Sequence, residues 1–292
     1  MKLSRVAKLL ITGGLLFWVL RSIDMPGLRI NLAALDFRFI ILLLFAYWAA
    51  QLISVQRWRI LAAALGVSGP YASFLRVYFA GMFLGIGLTS LGGDILKSYA
   101  LSKQPASSLS IGVASVLLDR AAGLATLLLI GTAASVLRPA AWHGIPLIVV
   151  YASGWAAAAG LGATALRREL SGVRSRLRLT GGTVAAVSLL SLANTGIVLW
   201  IVERLFADLG SPVPWAAMCS LVPVIEILTL LPISVSGLGI REWAYLEAFA
   251  LAGVPPGAAL AAALAMSALI LVRNMAGLFF IGAFRHPERE AG

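Results

Sequence analysis

Eight ionisable side chains stand inside or at the edge of strongly apolar stretches of this 292-residue chain: Asp94, Lys97, Asp119, Arg120, Glu226, Arg241, Glu242 and Arg273. At the centre of a membrane helix each costs at least about 2.5–3.5 kcal/mol on insertion scales, so such groups persist where they pair, face water or bind something. Asp119 and Arg120 are neighbours and on a helix point about 100° apart. Each can pair elsewhere, with Lys97 or Glu242 as candidates. Glu226 fits either a neutral, hydrogen-bonded carboxylic acid or a proton-coupling group. Arg120, Arg241 and Arg273 carry forked donors suited to a phosphate, with Lys97 in support. His143 and His286 lie far apart without a ligand-spaced partner, so no metal site is expected.

Two glycine-rich interruptions flank these groups. Thr89-Ser90-Leu91-Gly92-Gly93-Asp94 follows the apolar run 74–91, and Pro232-Ile233-Ser234-Val235-Ser236-Gly237-Leu238-Gly239-Ile240-Arg241-Glu242 follows 215–231. Gly92 and Gly93 in the first, and Pro232, Ser234, Gly237 and Gly239 in the second, are expected to break a helix in mid-membrane. The backbone groups so freed need protein, water or a ligand, because lipid offers them nothing. Short helices restarting there, to about 101 and 252, would aim partly positive N-terminal amides at the protein's middle, an arrangement that favours anions. Asp94 and Glu242 fit as capping carboxylates at those starts. Gly85-Ile86-Gly87 is not read as a dinucleotide fingerprint, because no strand precedes it.

The elements that must hold these groups are membrane helices. Hydrophobic residues make up 60% of the chain and charged residues only 12%, against about 45–50% and 25% in ordinary soluble domains. That balance excludes a soluble enzyme, a disordered chain and an ordinary nucleic-acid-binding domain. Cys219, the lone cysteine, excludes a disulfide within the chain. Apolar runs of spanning length fall at 6–21, 37–56, 110–137, 145–166, 182–203 and 256–284. The basic N-terminus with run 9–20 resembles a signal peptide but lacks a cleavage pattern, so an uncleaved first span is expected. Arg57 and Arg59, just past the second run, read as interfacial anchors with Trp58 in the aromatic belt.

Asp94 and Glu242 lie 148 positions apart, close to half the chain, and a shift of that size lays the first set of runs on the second. An internal structural duplication is expected, with repeats of about 1–144 and 145–292 in one integral domain. If each broken segment dips in and returns to the same face, thirteen basic residues fall inside and five outside, including the block Arg167, Arg168, Arg174, Arg176 and Arg178 on the inner side. A single crossing per broken segment would put that block outside, against the positive-inside tendency. The expected fold is therefore an all-α polytopic membrane protein of two inverted repeats, each with about three crossings and a broken or re-entrant helix pair. It would sit in the cytoplasmic membrane with both termini cytoplasmic.

Gln56-Arg57-Trp58, Gly92-Gly93-Asp94, Asp119-Arg120, and Pro232-Ile233-Ser234 through Arg241-Glu242 together resemble the signature of the flippase-like membrane-domain family, named for the membrane region of lysylphosphatidylglycerol synthases. The resemblance covers nearly the whole chain. It implies translocation or binding of a lipid, without the synthases' soluble aminoacyl-transferase domain and hence without lysyl transfer. A basic, glycine-lined cavity within an apolar surround suits a phospholipid or polyprenyl-phosphate-type headgroup whose tails stay in the bilayer. The expectation is a flippase and not an enzyme, needing no cofactor, with downhill or ion-coupled movement since no ATP site is visible. Its partners would be the lipid and an enzyme of lipid synthesis; nucleic acid is excluded. The alternatives are an intramembrane lipid-modifying enzyme using Asp94 or Glu242 as general base, or a non-catalytic partner of a lipid synthase.

Overall fold

Long segments with apolar residues on every face form helices here because a helix alone satisfies its whole backbone within lipid. The computed structural model describes residues 13–14, 17, 25–88, 90–105, 107–168, 173, 175–230 and 237–284. They form ten α-helices: α1 Met25–Ala34, α2 Phe37–Ala64, α3 Tyr71–Leu88, α4 Ser90–Ser102, α5 Leu109–Leu137, α6 Leu147–Arg168, α7 Gly181–Asp208, α8 Trp215–Leu230, α9 Ile240–Ala250 and α10 Pro256–Met275, the last running on as a 3₁₀ stretch, Ala276–Phe284. Four of them, α2, α5, α7 and α10 with its extension to Ile281, are long and apolar enough to cross a membrane. Shorter apolar helices cover Tyr71–Ile86, Leu147–Gly160 and Trp215–Leu230. The chain is an all-helical, multi-pass membrane protein.

The long helices begin where a side chain satisfies the first free amides. Asp36 accepts from the Arg38 N–H at 2.9 Å, Ser108 from Ile111 at 3.4 Å and Thr180 from Thr183 at 3.1 Å. The expected run 6–21 lies largely outside the described residues. The run 145–166 becomes α6, and 256–284 divides into α10 and its 3₁₀ extension. Helix α1 was not expected.

The run 37–56 is eight residues longer as a helix, which corrects the reading of its end. Arg57 and Trp58 are not interfacial: they are buried in α2, 6% and 1% exposed. Both are retained inside because each finds a partner there. Trp58 donates to the Ser115 hydroxyl at 3.1 Å and packs edge-on against Phe74. Arg59 donates to the Gly69 carbonyl at 3.0 Å.

Gly92 and Gly93 do not break a helix as expected. Helix α3 ends at Leu88 and α4 starts at Ser90, so Gly92 and Gly93 are helical residues of α4 and not the interruption itself. Gly93 serves close packing: a Cβ there would lie 2.3 Å from the Gly81 carbonyl oxygen, so α3 and α4 touch backbone to backbone. The second break separates Leu230 from Ile240. Gly237 and Gly239 there hold φ of +80° and +81°, a left-handed conformation that glycine alone adopts without cost. Pro232 and Ser234 lie outside the described residues.

Two groups of helix ends come together. The Arg178 N–H donates to the Ala64 carbonyl at 2.8 Å, joining the end of α2 to the segment before α7. Elsewhere the Asp36 N–H reaches the Asp208 carboxylate at 3.1 Å, joining the start of α2 to the end of α7. A two-residue ladder, β1 Ala141–Trp142 with β2 Ile145–Pro146, turns at His143 and Gly144, both with positive φ. It lies on α9 through the His143–Glu247 pair at 2.9 Å and the stacked rings of Trp142 and Trp243.

Candidate functional site

Adjacent residues on α5 serve two different neighbours because of the helical turn between them. Asp119 is buried and takes the Arg57 Nε of α2 at 2.7 Å. The same guanidinium donates through Nη1 to Ser191 of α7 at 3.1 Å. Arg120 turns instead to α4 and pairs with Asp94. Asp94 also holds Lys97 at 3.1 Å, one turn along its own helix. Lys97 in turn sits 4.6 Å from the centre of the Tyr78 ring, so an aromatic face adds to the charge it already has. Asp94 is thus a pairing residue within α4 and not a cap at its start.

The second broken pair is built differently. Pro223 lies inside α8 and cannot donate to the turn before it. One turn later comes Glu226, whose Oε1 is buried without a hydrogen-bond partner. Past the break, Glu242 reaches back to cap α9: its Oε2 accepts the Gly239 N–H at 2.6 Å, and its Oε1 accepts the Ser267 hydroxyl at 2.6 Å. Glu242 is completely buried. Arg241 donates through Nη1 to the same Ser267 hydroxyl at 3.1 Å and has a buried Nε without a hydrogen-bond partner among the described residues. Arg273 of α10 lies over the Tyr47 ring at 4.3 Å and donates to the Asn274 side-chain oxygen at 2.9 and 3.1 Å.

These groups surround a hollow of two adjoining lobes, about 280 and 350 Å³. Asp94, Lys97, Glu226 and Arg273 line both lobes. The smaller adds Arg241 and the bare backbone of Gly81, Gly85, Gly93 and Gly237; the larger adds Arg57, Asp119 and Arg120, with the uncharged donors and acceptors of Gln51, Asn194 and Thr195. Among the described residues five cations face three carboxylates there. Two of the carboxylates are committed, Asp119 to Arg57 and Asp94 to Lys97 and Arg120. Arg241 and Arg273 have no carboxylate within 4.0 Å among the described residues.

Seven of the eight ionisable residues singled out in the sequence therefore line one hollow, and Glu242 stands behind it as a cap. Sequence reasoning missed Arg57, Tyr47, Tyr78 and Asn194. Arg57 carried a usable signal, since it sits within one turn of an apolar run. The aromatic rings carried none, because apolar spans commonly hold them; Asn194 carried a weak one, a side-chain amide inside the apolar run 182–203. Among the described residues no group of three or more His, Cys, Asp or Glu could hold a metal ion.

Spanning helices around a charged, glycine-lined internal hollow define a polytopic membrane protein with a polar interior. The chain belongs to the lysylphosphatidylglycerol synthase TM region family, whose profile matches residues 5–277. No curated protein and no solved structure matches it.

Proposed function

We propose that this protein moves a lipid with a phosphate-containing headgroup, of phospholipid or polyprenyl-phosphate type, from one leaflet to the other without altering it chemically. The observation that carries the reading is the pair of guanidiniums in the hollow, Arg241 and Arg273, with no carboxylate within 4.0 Å among the described residues. Arg241 is buried and Arg273 half-buried; cations so placed without an anion are costly, and a phosphate would supply one through forked, charge-assisted hydrogen bonds. Lys97 and Arg120 extend the positive field from the other side. Family membership supports a lipid as the ligand.

Two inverted halves, 1–144 and 145–292, would let the hollow open alternately to either face. The joined helix ends support this plan. α2 ends beside the segment before α7, and the start of α2 meets the end of α7 through Asp208; in this reading α3 and α4 start and finish on the first side, and α8 and α9 on the other, where Glu247 meets His143. With the arginines of 167–178 inside, both termini are cytoplasmic, and an enzyme of lipid synthesis on that face would deliver the lipid.

The test uses proteoliposomes carrying fluorescent phosphatidylglycerol. Charged hydrogen bonds contribute about 1.5–3 kcal/mol each, so Arg241→Ala and Arg273→Ala are expected to slow transbilayer movement by about ten- to a hundredfold. Mass spectrometry should recover the lipid unchanged. Equal rates in the wild type and both variants would overturn the proposal, and a chemically modified lipid would point to an enzyme.

A further inference from the structure

Glu226 is the carboxylate in the hollow that no described cation holds. Asp94 and Asp119 are bound to lysine and arginine, and both oxygens of Glu242 are occupied by the Gly239 amide and the Ser267 hydroxyl. The Glu226 side chain keeps a buried oxygen without a partner. Thr229 bonds only its main-chain carbonyl. Arg241 from α9 and Arg273 from α10 line the same lobe, and among the described residues they are the guanidiniums of the hollow with no carboxylate within 4.0 Å.

A phosphate entering the smaller lobe meets these same guanidiniums, so the headgroup and the ionised Glu226 compete for one pair of cations. A proton on Glu226 removes the competitor and frees both arginines. Binding of one ligand that favours binding of another is reciprocal: if the proton promotes the anion, the anion promotes the proton. From this we infer that the chain is a proton-coupled carrier, with Glu226 taking up one proton for each anionic headgroup bound. The inference rests on the lipid-translocation reading above.

The other groups around Glu226 do not offer a second proton site. From α2 comes Tyr47 and from α9 Tyr245, phenols that ordinarily ionise near pH 10. Tyr78 of α3 is a third phenol, under Lys97. On α4 and α5, Asp94 and Asp119 are held by Lys97, Arg120 and Arg57. α7 contributes Asn194 and Thr195, which do not titrate. In the step itself, water on the open side yields a proton to a Glu226 oxygen as the anion enters. The same O–H bond breaks to water on the other side as the anion leaves. No other bond changes.

The experiment is calorimetric titration of the full chain in detergent with dihexanoyl phosphatidylglycerol, in buffers of different ionisation heat and at several pH values. Uptake of about one proton per lipid is expected where Glu226 is ionised, with affinity falling about tenfold per pH unit as pH rises. Glu226→Gln should bind with affinity independent of pH and without proton uptake. Proton-neutral binding by the wild type from about pH 5 to about pH 9, or uptake retained in Glu226→Gln, would overturn the inference. Proteoliposomes with an internal pH dye separate the two claims. Lipid movement without proton movement defeats the coupling and leaves translocation standing. Neither binding nor movement of the lipid defeats both.

Discussion

Arg57 and Asp119 illustrate what a single ion pair does inside this bundle. Each would be an isolated charge among apolar neighbours without the other, and breaking such a pair costs about 3–5 kcal/mol. Asp119→Ala is therefore expected to lower stability by about that amount, read from thermal unfolding in detergent. Arg57→Ala/Asp119→Ala should recover much of the loss, because neither charge is then stranded. At this scale the sequence was legible wherever a charge broke an apolar run. Asp94, Lys97, Asp119, Arg120, Glu226, Arg241 and Arg273 all declared themselves in that way, and all reach one hollow. Their pairing was not legible. Asp119 meets a residue 62 positions away and Arg120 one 26 positions away, and no local pattern encodes which of two adjacent charges faces which helix. Arg57 was misread for the same reason, its partner lying on another helix.

Elements divide into helices separated by side chains and helices in backbone contact. α3 and α4 belong to the second kind, with Gly81 against Gly93, and α4 meets α5 similarly where Gly112 lies on the Ser98 carbonyl. Gly93→Ala must push two main chains apart, so a loss of about 1–3 kcal/mol is expected. Gly85→Ala, with open space at its Cβ position, should leave stability nearly unchanged. Thermal unfolding of the two variants side by side checks this. The glycines of the first interruption were visible in the sequence, but their use was not: Gly92 and Gly93 looked like breakers, whereas both are helical residues of α4 and Gly93 serves close approach. Gly237 and Gly239 differ, because their positive φ makes them true turn residues. Hydropathy located the long spans because twenty-odd apolar residues admit few other structures. The end of α2 escaped it because Arg57 and Arg59 there are satisfied by tertiary contacts rather than by water.

The whole molecule is a bundle whose charged interior contrasts with its apolar outside, where Phe37, Leu137 and Phe279 are among the most exposed side chains. Orientation is checked by labelling single cysteines with a membrane-impermeant maleimide in a Cys219→Ser background. Arg138→Cys should react from outside intact cells, whereas Gln104→Cys and Ser175→Cys should react only once the membrane is opened. The reverse pattern would turn the chain over. The spacing of Asp94 and Glu242 suggests two halves, and the contacts of Arg178 with Ala64, Asp208 with Asp36 and Glu247 with His143 show which helix ends lie together. The lone carboxylate between two spare guanidiniums also has an electrical consequence. A monoanionic headgroup travelling with one proton carries no net charge across the bilayer. The field, which acts on a moving charge with about 2.3 kcal/mol per 100 mV, then neither drives nor opposes the cycle. Such an electroneutral carrier follows the acidity difference between the two compartments and ignores the voltage between them.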